Sequence, residues 1–227
     1  MAKITVHHLQ VSQSERIPWL LEELGVPYDL ELYQRAPLLA PAAYKALHHS
    51  GAAPVIHDAS NDLTLAESGA CVEYLAHRHG AGRLFVAPAT PGYADFLYWW
   101  HWSNGTFQPA VSRAMYVRRR GAAAAAADDS KMLAVSNEKL GRALKALDEQ
   151  LGRNDYIAGS ELTAADIMTV FSLTTMRYFS PYSLAEYPNI LKYLERIGKR
   201  KAYRTAMAKS DPDMKPALGA ESPKSLL

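Results

Sequence analysis

The chain has 227 residues, 48% of them hydrophobic and 21% charged, with 25 Lys plus Arg against 23 Asp plus Glu. That length makes one large domain or two small ones, able to bury about 70% of the unfolded chain's surface. A net charge of +2 excludes an overall basic nucleic-acid binder, and a single cysteine excludes a disulfide framework or a multi-cysteine zinc site.

Residues 3–7 (KITVH) read as a short strand, entered directly from the N-terminus with no leader pattern. Ile17, Leu20, Leu21 and Leu24 follow at helical spacing, and Gly25 ends that helix as a left-handed cap. Residues 28–33 alternate as a second strand, and 41–47 fit a short helix. Residues 54–57 and 63–65 are two more strands, separated by a turn-rich loop at 58–62. Glu67-Ser68-Gly69 opens a third helix through Val72, Leu75 and His79. The order is βαβ, then ββα.

Pro88 and Pro91, with flanking glycines, mark an interdomain linker. Beyond it every pattern is helical. One long helix is expected from about 92 to 119, broken by Gly121, and the Ala122–Ala127 run fits a helix start or a loop. Further helices are expected through Leu140–Leu151, at 163–176 and at 187–207, then a poorly ordered tail. No apolar run reaches the roughly 18 residues of a membrane span. The fold class is therefore α/β plus all-α. Residues 1–82 form the first domain, 83–91 the linker, 92–210 the helical domain and 211–227 a flexible tail.

Ser12 and Ser14 stand between the first strand and the first helix. A helix N-terminus exposes unpaired N–H groups and carries about half a positive charge, so it attracts anions. A hydroxyl there donates to a thiolate, or else serves only as an N-cap. Pro18, which a helix interior excludes, makes the regular helix begin near Ser14 or later and leaves Ser12 in a loop. Ala53-Pro54 enters the third strand. A cis bond there frees the main chain of Val55 for an extended ligand, and the sequence leaves the isomer open. Ser68 is a cap, or with its helix N-terminus a seat for a carboxylate while Glu67 takes an ammonium. An amino-acid-like ligand end matches that pair. Thr163-Ala-Ala-Asp166 has the spacing of a capping box, stapled by Leu162 and Ile167, and is a folding signal without chemistry.

Together these blocks resemble the cytosolic glutathione S-transferases, from the first strand to about residue 208. Val6-His-His-Leu…Ser12-Gln-Ser-Glu-Arg16…Trp19-Leu-Leu-Glu-Glu-Leu-Gly25 is similar to the serine-type branch found in bacteria and fungi. Ala53-Pro-Val-Ile56 matches the family's cis-proline, and Glu67-Ser-Gly-Ala70 its γ-glutamyl-binding pair. Leu162-Thr-Ala-Ala-Asp-Ile167 precedes Tyr187-Pro-Asn-Ile and Arg200-Lys-Ala-Tyr203. The resemblance implies a thioredoxin-like domain that binds glutathione, a helical domain that supplies an electrophile pocket, and a cytoplasmic homodimer. Glutathione would be the co-substrate, with no metal, nucleic acid or membrane span involved.

By the family motif Ser12 supplies the activating hydroxyl, with Ser14 as the other candidate. Val55 pairs with the cysteinyl unit, and Glu67 and Ser68 hold the γ-glutamyl end. Ala52 stands where relatives carry Lys or Gln, and His48 or His49 is the polar substitute, or else a solvated loop histidine. Trp102, Phe107, Met115, Tyr116 and Tyr178 are expected to line the electrophile pocket, or else to be helical core. The implied activity is conjugation of apolar electrophiles, with peroxidase activity through the same thiolate. A glutathione-dependent isomerase or lyase, or a non-catalytic binding protein, shares the same fold.

Overall fold

The computed structural model describes residues 3–36, 38–123 and 127–227; Ala124–Ala126, inside the alanine run, lie outside the described residues. The chain divides into two compact units. One is Met1–Phe85 with Ile197–Pro216, and the other is Val86–Arg196 with Ala217–Leu227.

In the first unit, β1 (Ile4–Leu9), β2 (Tyr28–Tyr33), β3 (Val55–Asp58) and β4 (Leu63–Ala66) form one sheet in the order β2-β1-β3-β4. β1 runs parallel to β2, and β3 pairs antiparallel with both β1 and β4. β1 is longer than the pattern KITVH suggests. It continues through His8 and Leu9, so that Ile4, Val6 and His8 alternate onto one buried face.

Helix α1 (Arg16–Leu24) follows a 3-10 turn at Gln13–Glu15, and Gly25 closes it at φ 66°. Pro18 thus falls in the first α-helical turn, where a missing N–H costs no intrahelical bond. α2 (Ala42–Lys45) and α3 (Ser68–His79) complete the βαβ-ββα order. These elements make the thioredoxin-like unit.

The same unit takes α9 (Lys201–Ser210), which the sequence places with the helical domain. The reason is packing against α1. Trp19 and Tyr203, both almost wholly buried, meet edge to face at 5.1 Å. Arg200 also grips the Glu23 carboxylate with two nitrogens, at 2.7 and 2.8 Å.

The second unit is helical: α4 (Tyr93–Trp102), α5 (Gln108–Ala123), α6 (Ala127–Leu151), α7 (Ala164–Leu173) and α8 (Pro188–Lys199) as far as Arg196. The single helix expected from 92 to 119 is instead two, joined by a π-helical turn at Ser103–Phe107. Gly121 lies within α5 rather than ending it. Helix α7 starts on the expected capping box, with the Asp166 carboxylate accepting from the Thr163 main chain at 2.8 Å.

The C-terminal stretch, expected to be loose, is held by the buried Arg177. Its guanidinium donates to the carbonyls of Ala217, Gly219 and Ala220 at 3.2, 2.8 and 2.7 Å, and Leu226 N–H donates to the Tyr178 carbonyl. A buried guanidinium needs that many acceptors, and the tail supplies them as main chain.

Candidate active site

The strand-to-helix turn after β1 is tightly held. Val11, β-branched, sits at φ 52°, a conformation that persists only where the surroundings enforce it. Here Asp211, just past α9, accepts from Val11 N–H at 2.8 Å. Arg35 donates to the Val11 and Gln10 carbonyls at 2.8 and 3.0 Å.

Ser12 follows in extended conformation, as the cap of the 3-10 turn, and its Oγ accepts from Ser14 N–H. Only 6% of Ser12 is exposed. Its Oγ lies 2.6 Å from the Leu9 carbonyl and 2.7 Å from Ser14 Oγ. Ser14 is fully buried. Its Oγ accepts from Leu9 N–H at 3.1 Å and lies 2.8 Å from His8 Nδ1. The two serine hydroxyls are therefore hydrogen-bonded to each other.

Gln13 and Arg16, the residues between and after them, connect this turn to the other two motifs. Gln13 Nε2 donates to the Ala53 carbonyl at 2.7 Å, and Arg16 Nη1 donates to Gln13 Oε1 at 3.1 Å and to Ser68 Oγ at 2.9 Å. Arg16 is wholly buried; burial draws its pKa down to about 9, against the pull of Glu15. Ser12, the Ala53–Pro54 loop and the Glu67-Ser68 corner are thereby brought together, as the motif order anticipates. The role of Gln13 and Arg16 goes unread in the sequence. The signal for it was present: a Gln and an Arg at i and i+3 beside a helix start.

The Ala53–Pro54 bond is cis. Val55, however, is fully buried as the first residue of β3, opposite His7 on one side and Ala66 on the other. Its main chain also meets the Tyr44 hydroxyl, which donates to the His7 carbonyl at 3.1 Å. Val55 is thus occupied by the sheet, and the expectation that it pairs with a ligand is corrected. Ala53, one place before the proline, is half-buried.

Glu67 is exposed at φ 72°, a strained position for a residue with a side chain, and Ser68 beneath it is 2% exposed. His48 is half-exposed, with Nδ1 engaged by Ser50 at 3.0 Å and its ring against His49.

Two family models match this chain: the glutathione S-transferase N-terminal domain over residues 12–78, and its C-terminal domain over 98–201. A solved glutathione S-transferase from Actinobacillus pleuropneumoniae is 33% identical. The match covers 95% of this chain and 98% of that one, with a TM-score of 0.80.

The chain belongs to the glutathione S-transferase family.

Glutathione S-transferase 3 of Schizosaccharomyces pombe is 29% identical over 217 residues, 91% of this chain and 87% of its own length. A theta-class glutathione S-transferase from Xanthomonas axonopodis pv. citri, solved with glutathione bound, is 26% identical. It covers 91% of this chain and 97% of its own, at a TM-score of 0.66.

In the helical unit of this transferase-family chain, the expected pocket residues separate. Trp102 and Phe107 stack at 5.0 Å, and Phe107 is fully buried, so it is core and not lining. Trp102 borders a groove of about 490 Å³ between the α4–α5 turn and α6, with Gly105, Pro109, Arg113, Lys139 and Arg142. Tyr116 is 64% exposed, while Met115 and Tyr178 are half-buried. None of these three borders that groove.

The lone cysteine, Cys71, is buried in α3. Burial and the nearby Glu67 push its thiol up to about 12, so it is not a nucleophile at neutral pH. Among the described residues no helix is long and apolar enough to cross a membrane.

Proposed function

We propose that this protein conjugates glutathione to apolar electrophiles, with the Ser12 hydroxyl donating to the bound thiolate. The observation that supports this reading is the meeting of the Ser12 turn, the cis-Pro54 loop and the Glu67-Ser68 corner through Gln13 and Arg16. The three stretches carry a hydroxyl beside a helix start, a half-buried main chain at Ala53, and a carboxylate above a second helix start. Those chemistries suit the thiol, the extended peptide and the amino-acid end of one tripeptide. Glu67 takes the γ-glutamyl ammonium, Ser68 and the α3 N-terminus take its carboxylate, and His48 serves the glycine end. The Xanthomonas relative, solved with glutathione bound, lends the ligand its weight.

A free thiol has a pKa of about 8.5, so only a few per cent is thiolate at neutral pH. Lowering it to about 7 takes roughly 2 kcal/mol of preference for the anion, within reach of one donated hydrogen bond and a helix end. The sulfur is the nucleophile and the protein orients it. Trp102, which borders the groove beside α6, supplies an apolar wall for the electrophile. Reduction of organic hydroperoxides through the same thiolate is a second activity of this reading. The homodimer and the cytoplasmic, detoxifying setting come with the resemblance.

Ser12→Ala tests it directly. The expected result is a bound-thiol pKa raised by about one unit or more and at least about a tenfold loss of conjugation with a chlorodinitrobenzene. Failure of the native protein to bind glutathione at millimolar concentration refutes the reading. An inert Ser12→Ala beside a dead Ser14→Ala moves the hydroxyl role to Ser14.

A further inference from the structure

Behind Ser12 lies a continuous hydrogen-bonded chain that simple capping does not require. Ser12 Oγ is 2.7 Å from Ser14 Oγ, Ser14 Oγ is 2.8 Å from His8 Nδ1, and His8 Nε2 is 3.0 Å from Asp211 Oδ2. His8 and Ser14 are fully buried, and Asp211 is 3% exposed. Beyond the Ser12 cap and the Asp211 anchor on Val11, the wholly buried His8 imidazole joins Ser14 to that carboxylate across 203 residues.

With the His8 ring neutral and Asp211 ionised, the hydrogen bonds fit one proton order. A carboxylate only accepts, so His8 carries its proton on Nε2. The neutral ring then accepts at Nδ1 from Ser14 Oγ–H, and Ser14 Oγ, its own proton spent, accepts the Ser12 proton when that hydroxyl turns from the Leu9 carbonyl, to which it donates at 2.6 Å. Asp211 is fixed in this role because its other oxygen holds Val11 N–H.

We infer that His8, Ser14 and Asp211 are positioning residues that take up the glutathione thiol proton through Ser12, an inference that rests on the Ser12 reading above. As the S–H bond breaks, its proton bonds to Ser12 Oγ, the Ser12 proton passes to Ser14 Oγ and the Ser14 proton passes to His8 Nδ1. The products are a thiolate and an imidazolium paired with the Asp211 carboxylate. No proton is gained or lost, and no redox partner is needed. The reversed chain now runs His8 to Ser14 to Ser12, so the Ser12 hydroxyl points outward and donates to the thiolate it has just released. The same two serines thus serve before and after ionisation, and each link in the chain strengthens the next. After conjugation the His8 proton leaves to solvent.

Arg35, after β2, interacts favourably with Asp211. Glu15 and Arg16, in the turn between, are buried and interact with each other.

Asp211→Asn gives the sharpest test. The asparagine oxygen stays with Val11 N–H, so its amide N–H₂ faces His8 Nε2 and forces the ring proton onto Nδ1. The relay then has no empty acceptor, while every side chain keeps its place. The bound-thiol pKa, read from thiolate absorbance against pH, is expected to rise by about one unit or more. kcat with a chlorodinitrobenzene falls at least about tenfold, and the KM for glutathione stays within about threefold. Ser14→Ala, which cuts the chain without changing charge, gives the same pattern and carries the test should Asp211→Asn fail to fold.

If Ser12→Ala raises the thiol pKa while Asp211→Asn and Ser14→Ala leave it unmoved, the relay is overturned and the Ser12 reading stands. Changes confined to KM or to melting temperature likewise overturn it. If Ser12→Ala itself leaves the thiol pKa unmoved, the reading beneath the inference fails first.

Discussion

Asp166→Ala is expected to destabilise the helical unit by about 4 kcal/mol. The Asp166 side chain is wholly buried and its two oxygens receive four donors. Ile157 N–H reaches Oδ1 at 3.0 Å and Tyr193 Oη at 2.9 Å; Thr163 N–H and Oγ1 reach Oδ2 at 2.8 and 3.0 Å. Burial pushes this carboxyl's pKa up and the donors pull it back, with burial the larger influence. One side chain therefore ties the loop at 157, the start of α7 and the middle of α8. Alanine leaves two main-chain N–H groups and a phenol unpaired, while the Thr163 hydroxyl is free to turn. Each of the three orphaned donors costs about 1–3 kcal/mol, so the sum is roughly 3–9 before relaxation, with the lower half expected once the site collapses. Alanine's better helix propensity returns roughly half a kcal/mol. In a chain of this length the loss lowers the melting temperature by roughly 8–16 °C. Urea unfolding read by tryptophan emission suits the measurement, because Trp99, Trp100 and Trp102 report on this unit. Asp166→Asn, which keeps an oxygen for Ile157 and Tyr193, is expected to lose about half as much. A loss below about 1 kcal/mol in the alanine variant refutes the account of α7 as a unit pinned by this carboxylate.

Asp58, at the end of β3, accepts from Ser60, Tyr74 and His79. Burial raises its pKa, but those hydrogen bonds together outweigh it and hold the carboxyl well below the usual range. A depressed carboxyl contributes stability that is complete above its unfolded pKa of about 4 and fades as pH falls below that. Urea melts of the native protein and Asp58→Asn should therefore keep a constant gap down to about pH 5, which narrows progressively below about pH 4; a gap that does not narrow there counts against the network. Cys71 should resist alkylation in the native protein at neutral pH and react on unfolding. Fast native labelling contradicts its burial. Truncation after Pro216 removes three acceptors from the buried Arg177 and is expected to cost about 3 kcal/mol by the same melts. An unchanged midpoint shows that the tail is not what satisfies this guanidinium.

Elements with a strong local cause were legible. The stripe at Ile17, Leu20, Leu21 and Leu24 ended at Gly25 because only a left-handed residue closes that turn. Thr163 and Asp166 opened α7 through contacts three residues apart. The Ser12, Pro54 and Glu67-Ser68 motifs were visible for the same reason, each being a local turn or helix start. Local pattern misled where a second element decided the outcome. Trp102 and Phe107 carry aromatic side chains fit for a pocket or a core, and their stacking placed Phe107 in the core. Val55 follows a proline, which suits an edge position, but strands on both sides enclose it. Gly121 breaks helices by propensity, and α5 continues to Ala123 regardless.

Length and charge left one domain or two. The sequence by itself determined two kinds of architecture in order, because strand and helix periodicities are properties of neighbouring residues. Only the tertiary structure decided where the units are cut. It moved α9 from the helical part to the sheet-bearing unit through Trp19, Tyr203 and the Arg200–Glu23 pair. The same move brings Asp211 to His8. A histidine in a strand and an aspartate past a late helix have no local signature of partnership. Burial and hydrogen bonding across 203 residues make them one.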